Sequence, residues 1–148
     1  MNDDSLRWSR QIASEHRRLR RSLSCLSQFL VDPASVHRVD PLLSRLEQLA
    51  EIVADHMALE ERGGYLEPVC ERLPHAAETL EKCLDEHDVL QKDLAELIDS
   101  LHAGPSINSV HRLIFPGLLS WIAALEDHEH RETELLIEAF WTDYGVAD

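Results

Sequence analysis

The chain has 148 residues, of which 44% are hydrophobic and 28% are charged, a composition typical of a globular protein with a single core. We therefore predict one domain that spans residues 1–148. Acidic residues outnumber basic residues by 28 to 14, for a formal net charge of −14 at pH 7. This charge argues against nucleic acid and anionic membranes as partners, because both would repel the chain.

The first half of the chain predicts two long helices. The first covers about residues 4–30. The second opens at Asp40-Pro41, an acidic cap followed by proline at the first helical position, and continues to about residue 62. There Gly63-Gly64 breaks or kinks the helix, and a further turn through residues 65–72 is compatible with the sequence.

The second half predicts two more helices. Pro74 opens the third, which ends near Gly104, and the fourth starts between Ser106 and Ser109 and runs to about residue 141. Pro116 either marks the true first turn of this last helix or kinks it. Runs of β-branched residues are absent, so we predict an all-α fold, an antiparallel up-down-up-down four-helix bundle.

No targeting signal is evident in the sequence. Residues 1–4 are not followed by an apolar stretch typical of a signal peptide, and no apolar run is long enough to predict a membrane span. The three cysteines, Cys25, Cys70 and Cys83, are odd in number and form no CxxC motif. We expect reduced thiols and a cytoplasmic location.

Each predicted helix carries an apolar stripe whose members recur at alternating steps of four and three, as in antiparallel bundles. On the fourth helix this stripe runs through Trp121, Leu125 and Leu135. Burying polar groups on such a stripe is costly unless the groups satisfy one another or bind a ligand. Six polar residues nevertheless occupy the stripes: His16, His56, Glu60, His87, His128 and Glu132.

Two histidine motifs occur twice in the chain, in the same order and at nearly the same interval. The sequence EHRRL at residues 15–19 recurs as EHDVL at residues 86–90. The sequence DHMALE at residues 55–60 recurs as DHEHRE at residues 127–132. The repeat predicts two similar helical hairpins that face each other and bring four imidazoles together.

Within each predicted hairpin, the motifs should lie at similar distances from the turn that joins the two helices. They do so except in the last hairpin. His128 lies farther along the chain from Gly104 than His87 does on the other side of that glycine. Since helical residues rise by about 1.5 Å each, the connection has to absorb the difference. We expect a loop near residues 104–110 to do so.

The repeated HxxxE motif predicts a metal site. A histidine and a glutamate at positions i and i+4 lie on one face of a helix, and imidazole with carboxylate suits iron, manganese or zinc. Two such pairs predict a site for two ions, and iron is the favoured metal. The residues determine only which side chains belong to it. In one possible pairing, one ion binds His16 and His56, and the other ion binds His87 and His128. Glu60 and Glu132 then bridge the two ions.

The order H…HxxxE…H…HxxxE on four helices resembles the hemerythrin family, specifically its HHE cation-binding domains. The resemblance covers essentially the whole chain, including residues 56–66 and the closing residues 128–145. It implies a left-twisted four-helix bundle with a non-haem di-iron centre. It further implies a protein that binds or senses dioxygen or iron, or that handles reactive oxygen and nitrogen species.

The chain departs from the oxygen-carrying members at two places. They have HxxxH on the third helix, where this chain has Cys83 before His87, and HxxxxD on the fourth, where this chain has HxxxE. The resulting set of four histidines and two carboxylates is symmetric, which argues against reversible oxygen carriage but not against oxygen reactivity. Cys83 is either a thiolate ligand or, as we favour, a small core residue.

Several other interpretations compete with the metal site. The six residues could form a buried hydrogen-bond network without metal. The glutamates next to them, Glu61 and Glu86, are either further ligands or, as we favour, face solvent or hold a histidine ring nitrogen. We expect no ligand role for His130 because it lies off the stripe. Tyr65 and Trp121 are candidates for lining the pocket, although packing is the favoured interpretation for both.

We predict a hemerythrin-like protein that binds or reacts with dioxygen or another small oxidant, as sensor, store or scavenger. The first alternative is an iron-handling or redox protein acting on Fe(II), peroxide or nitric oxide. The second is an interaction domain with a structural metal. Nothing in the sequence identifies a protein partner, and the arginine run at residues 17–21 is either a solvated helix face or a docking patch.

Overall fold

A computed structural model describes residues 3–35, 37–62 and 66–140, and every regular element within these ranges is helical. Short helical segments lie between the second and third long helices and between the third and fourth, whereas the first two are joined by a turn. In chain order the elements are α1 (Asp3–Val31), α2 (Val39–Arg62), α3 (Leu66–Arg72), a 3₁₀ turn (Pro74–Ala76), α4 (Ala77–His102), α5 (Ile107–Ser109), a π-helical turn (Val110–Ile114) and α6 (Phe115–Phe140).

The helices begin and end close to where the sequence predicts them. Helices α1 and α2 differ from the predicted ranges by one residue at most, and the further turn after α2 is present as α3. Pro74 begins the 3₁₀ turn that continues into α4. The Gly63-Gly64 break and Tyr65 lie outside the described residues, as does everything after Phe140.

The expected loop at residues 104–110 is wrong in its extent, because the chain is helical again from Ile107. The excess length is taken up by helix, including a π turn in which the Phe115 amide donates to the Val110 carbonyl, five residues back. This wider turn suits Pro116, which has no amide hydrogen and whose ring clashes with a carbonyl four residues back in a regular α-helix. Pro116 therefore lies in the first turn of α6.

Two apolar clusters fill the bundle, one on each side of a polar layer. On α1, Ile12 belongs to the smaller cluster and Leu19 to the larger, with His16 between them. On α6, Leu125 belongs to the larger cluster and Leu136 to the smaller, with the second HxxxE pair between them. Helix α1 contacts α2 and α6, and α4 contacts the same two helices, so the polar layer is enclosed by all four.

Helix α3 covers the end of the bundle formed by the smaller cluster. Val69 is fully buried there. The Arg72 guanidinium lies 5.1 Å from the centre of the Phe140 ring and donates to the Ala139 carbonyl at 3.1 Å. These contacts hold α3 against α6 at this end of the bundle.

Three further expectations can be compared with the described residues. Trp121 packs in the larger cluster, and its indole nitrogen donates to the Leu90 carbonyl at 2.8 Å, as the packing interpretation predicts. Cys25, Cys70 and Cys83 are free thiols. Among the described helices, none has the length and apolarity needed to cross a membrane.

Candidate metal centre

The six polar residues on the predicted stripes meet in the polar layer. Helix α1 supplies one of them, α2 two, α4 one and α6 two. His16 is 3% exposed, and none of the others exceeds 1%. Their burial follows from the repeat of stripe positions, which turns each of these side chains toward the bundle axis. The six are His16, His56, Glu60, His87, His128 and Glu132.

The donor atoms of these residues form two groups that share both glutamates of the HxxxE pairs. In each group, one atom from every member lies within 4.8 Å of all the others, close enough to surround a single ion. The first group contains His16, His56, Glu60, Glu129 and Glu132. The second contains Glu60, His87, His128 and Glu132.

The first group has three carboxylates around two imidazoles. His16 Nε2 lies 3.4 Å from Glu60, 3.2 Å from Glu129 and 3.7 Å from Glu132. His56 Nε2 lies 2.5 Å from Glu60 and 3.3 Å from Glu129. The two imidazole rings meet edge to face, with centres 4.7 Å apart. Both Nε2 atoms thus face one carboxylate-lined point.

The second group has two carboxylates around two imidazoles. His87 Nε2 lies 3.2 Å from Glu60 and 3.3 Å from Glu132, and His128 Nε2 lies 3.0 Å from Glu132. The ring centres of His87 and His128 are 5.0 Å apart. Since Glu60 and Glu132 also belong to the first group, each can offer one oxygen to either ion. This grouping contains the same imidazole pairs and the same two shared carboxylates as the pairing suggested by the sequence.

Glu129 is a member of the first group that the sequence reasoning missed. It is 6% exposed and turns toward His16 and His56. The stripe on α6 was assigned with a strict heptad period, which leads from Leu125 to Leu135. In the structure Leu136 is the buried residue, and the spacing Leu125–Glu129–Glu132–Leu136 would have identified Glu129.

The outer nitrogens of three imidazoles contact side chains behind the site. His87 Nδ1 lies 3.1 Å from Glu61, and His128 Nδ1 lies 2.8 Å from Glu86. His16 Nδ1 lies 3.2 Å from the Thr133 hydroxyl. Contacts of this kind set the tautomer and orientation of a metal-binding imidazole and leave Nε2 available as the donor. Glu61 and Glu86 therefore each contact a histidine ring nitrogen, which agrees with one of the interpretations from the sequence.

Glu86 is itself held by Arg131. The guanidinium donates to both carboxylate oxygens, at 2.8 and 2.7 Å, and also to Asp127 at 3.2 Å. Arg131 and the contact with His128 keep the pKa of Glu86 below its usual value, although partial burial opposes the shift. The carboxylate behind His128 is thus ionised and fixed between α4 and α6.

The imidazoles and carboxylates of the polar layer shift one another's pKa values. Burial opposes protonation of the imidazoles, but contacts with carboxylates outweigh it, raising the pKa of His16 to about 9 and that of His56 and His87 to about 10. Burial likewise opposes ionisation of Glu60 and Glu132, yet the imidazoles lower the pKa of both. Without metal, the layer is held together by ion pairing.

The hydrogen-bond geometry tests whether a metal fits. A self-sufficient polar network would give each buried donor or acceptor a partner. Here several buried atoms have no hydrogen-bond partner among the residues that the structure describes, although oppositely charged groups lie near them. They are His56 Nδ1 and Nε2, Glu60 Oε2, His128 Nε2 and both oxygens of Glu129. Atoms arranged around a common point, rather than aligned with one another, fit a cation.

Cys83 and the remaining histidines do not join either group. Cys83 is fully buried, and burial together with nearby carboxylates raises the pKa of its thiol to about 12, which disfavours a thiolate ligand. His130 pairs with Glu134 at 3.2 Å on the exposed face of α6, as its position off the stripe predicts. The other exposed histidines are His37, His75, His102 and His111.

Comparison with known proteins gives one result. The family described as the hemerythrin HHE cation-binding domain matches residues 9–140, which include all seven members of the two donor groups. No curated protein and no solved structure matches the chain. The match supports cation binding over a metal-free polar network as the purpose of the buried histidines and glutamates.

Proposed function

This chain belongs to the hemerythrin HHE cation-binding domain family, and we propose that it is a non-haem di-iron protein that binds or reacts with dioxygen. It would act as a sensor, a store or a scavenger. The observation that carries the proposal is the pair of donor groups sharing Glu60 and Glu132. Two groups that share two carboxylates suit two ions bridged by those carboxylates.

The donor set supports iron as the metal. The two groups offer only imidazole nitrogen and carboxylate oxygen, a combination that suits iron, manganese and zinc. Beside the two shared carboxylates, His16, His56 and Glu129 give the first group two imidazoles and a carboxylate of its own, a combination of donors also found in non-haem Fe(II) sites. Manganese and zinc remain alternatives that metal analysis decides.

Each part of the site has a role in this proposal. Glu60 and Glu132 would bridge the ions, and the four histidines would provide the neutral donors. Bound iron would supply the capacity to bind dioxygen and exchange electrons with it. The apolar clusters on either side of the layer lower its effective dielectric constant, which strengthens the electrostatic interactions inside it.

The architecture that we propose for holding the ions is an antiparallel up-down-up-down four-helix bundle. The contacts α1–α2, α2–α4, α4–α6 and α6–α1 support it, because they form a closed ring of neighbours. The free thiols are compatible with the predicted cytoplasmic location, which belongs to the same proposal.

One observation favours a redox role on Fe(II), peroxide or nitric oxide as the second candidate. With Glu129, three carboxylates surround the ions instead of the two that the sequence suggested. Additional anionic ligands stabilise ferric over ferrous iron, because they interact more strongly with the higher charge. This favours irreversible oxidation over reversible oxygen carriage. An interaction domain with a structural metal is the third candidate, and metal removal tests it.

Metal analysis of protein from iron-replete cells tests the site. We expect about two irons per chain, and we expect His56→Ala and Glu60→Ala to lose iron because each removes a donor from the first group. His130→Ala is the matched control, since this histidine is 70% exposed. Equal losses in all three variants, or a wild-type protein that takes up no transition metal, would contradict the assignment.

Optical spectroscopy then separates the candidate functions. If the protein binds dioxygen, the reduced form should develop a stable band with oxygen that disappears when oxygen is removed. If it is a redox protein, it should pass directly to the ferric spectrum and regain the reduced form only with a reductant. Unfolding on metal removal, without any oxygen-dependent change in the spectrum, would favour a structural metal.

A further inference from the structure

The outer face of α1 is positively charged. Six of the chain's 14 basic residues lie in residues 7–21, a range that contains a single acidic residue. Among the described residues, only Arg18 of these six forms an ion pair, 3.8 Å from Glu15. Four of the six are exposed and recur at steps of three, seven and four residues, so they share one helix face that points away from the polar layer. They are Arg7, Arg10, Arg17 and Arg21.

The outer face of α4 has the opposite charge. Seven acidic residues of this helix are exposed, more than on α2 or α6, against two exposed lysines. Glu81, Asp85 and Asp88 follow one another at steps of four and three, so they share one face. Within the part of the chain that the structure describes, none of these three forms an ion pair. Val89 lies one turn after Asp85 and is 56% exposed, which adds an apolar contact to this acidic face.

The two charged faces occupy equivalent positions of the internal repeat. The histidines of the EHRRL and EHDVL motifs are separated by 71 residues, and the same interval leads from Arg10 to Glu81 and from Arg17 to Asp88. Both histidines lie in the polar layer, so the two faces are at the same height in the bundle. Since α1 and α4 each contact α2 and α6, the faces lie on opposite sides of that layer. One copy of the chain can therefore present its arginines to the acidic face of a second copy.

The net charge of −14 does not prevent such a contact in moderate salt. At an ionic strength of about 0.1 M, charges more than about 10 Å apart are largely screened, so the facing side chains dominate the interaction. The aliphatic stems of arginines can also cover apolar surface such as Val89. Each exposed pair contributes little by itself. Complementary faces nevertheless determine which surfaces meet and in which orientation.

We propose that the partner of the arginine face is a second copy of this chain, whose α4 docks by its acidic face against α1, with Arg10 and Arg17 opposite Glu81 and Asp88. The contact joins two different surfaces, so each copy in a pair still offers one face to a further copy. The basic run on α1 is then a docking patch rather than a solvated helix face. This proposal goes beyond the metal site and requires no metal.

Sedimentation velocity at several protein concentrations tests the association. We expect the unaltered protein to self-associate in about 0.1 M salt and to become monomeric in about 1 M salt, where the screening length falls to about 3 Å. Arg10→Glu combined with Arg17→Glu places like charges opposite each other and should weaken association at least about tenfold. Arg38→Glu combined with Arg112→Glu makes the same change in net charge at exposed positions outside both faces, and should leave association unchanged.

Reversal of the second face provides the complementary experiment. Glu81→Arg combined with Asp88→Arg should also abolish self-association, because α1 and α4 of this variant are both basic. In the variant with the altered α1, both faces are acidic. An equimolar mixture of the two variants should regain association, since every contact between unlike variants joins an acidic face to a basic one.

Circular dichroism and iron content of each variant establish that the fold and the polar layer are intact. Monomeric unaltered protein in 0.1 M salt overturns the proposal without bearing on the metal site. Association that persists in both reversed variants, or that is lost equally in the control pair, also overturns it. Loss of association in each reversed variant together with its recovery in their mixture supports docking of α1 against α4.

Discussion

Glu129 is the residue that makes the two donor groups unequal. The first group has it as a third carboxylate, whereas the second has only the two shared glutamates. The sequence suggested a symmetric site of four histidines and two carboxylates. The six predicted members could be identified because each repeats an i, i+4 pair or its partner histidine on an apolar stripe. Glu129 belongs to no such repeat, so motif spacing alone could not identify it.

Replacement of this carboxylate should affect one ion more than the other. We expect Glu129→Gln to weaken one of the two binding steps at least about tenfold, while the second step changes little, because His87 and His128 do not depend on this residue. Stepwise titration of the metal-free protein with Fe(II) under anaerobic conditions measures both steps. Glu134→Gln, a change at a 66% exposed position of the same helix, provides the control. Equal weakening of both steps would contradict the inequality.

Helix α6 shows which features of a helix its sequence pattern predicts and which it does not. Its HxxxE pair faces the bundle interior as predicted, because residues i and i+4 share a helix face whatever period the longer stripe has. Over several turns, however, a straight helix drifts relative to a strict heptad by about 20° per seven residues. The buried stripe accordingly passes through Leu136, whereas Leu135 is only partly buried. Nor does sequence periodicity reveal the π turn at Val110–Ile114, which depends on the backbone around Pro116.

The link between α4 and α6 behind His128 should control metal affinity. Arg131→Leu removes both hydrogen bonds to Glu86, so the carboxylate is no longer fixed at His128 Nδ1. We expect metal affinity to fall by about 10- to 100-fold, the usual effect of losing a group that orients a metal-binding histidine. Competition with a chelator of known affinity measures the loss.

Two comparisons separate this orienting role from general stabilisation. Asp127→Asn removes the exposed contact of the same guanidinium, and its metal affinity should remain close to that of the unaltered protein. The midpoint of thermal unfolding of each metal-free variant reports stability independently of the metal. An affinity loss in Arg131→Leu no larger than in Asp127→Asn would argue against an orienting role for Glu86.

Across the whole molecule, the polar layer links stability to pH. In the metal-free protein the pKa values of His16, His56 and His87 lie above the ordinary value of 6.5, so their stabilising contribution is complete below pH 6.5 and is lost as pH rises through about 9 to 10. The pKa values of Glu60 and Glu132 lie below 4.5, so their contribution is present above pH 4.5 and is lost on acidification.

Thermal unfolding at a series of pH values checks this linkage. We expect the metal-free protein to be most stable between pH 4.5 and 6.5 and to lose stability toward pH 10. In the metal-loaded protein the coordinated imidazoles are neutral, and metal binding strengthens as protons are removed, so the loss should be absent between pH 7 and 9. An increase in the unfolding temperature of the metal-free protein from pH 7 to 10 would contradict the raised histidine pKa values.

The two shared carboxylates have a consequence for how the chain disassembles. Each imidazole pair comes from one half of the sequence, whereas the shared carboxylates Glu60 and Glu132 come one from each half. In the proposed two-ion site, separation of the halves would therefore remove ligands from both ions simultaneously. Metal release and separation of the two halves would then share a rate-limiting step. The metal-bound protein would retain its ions for as long as the halves stay together.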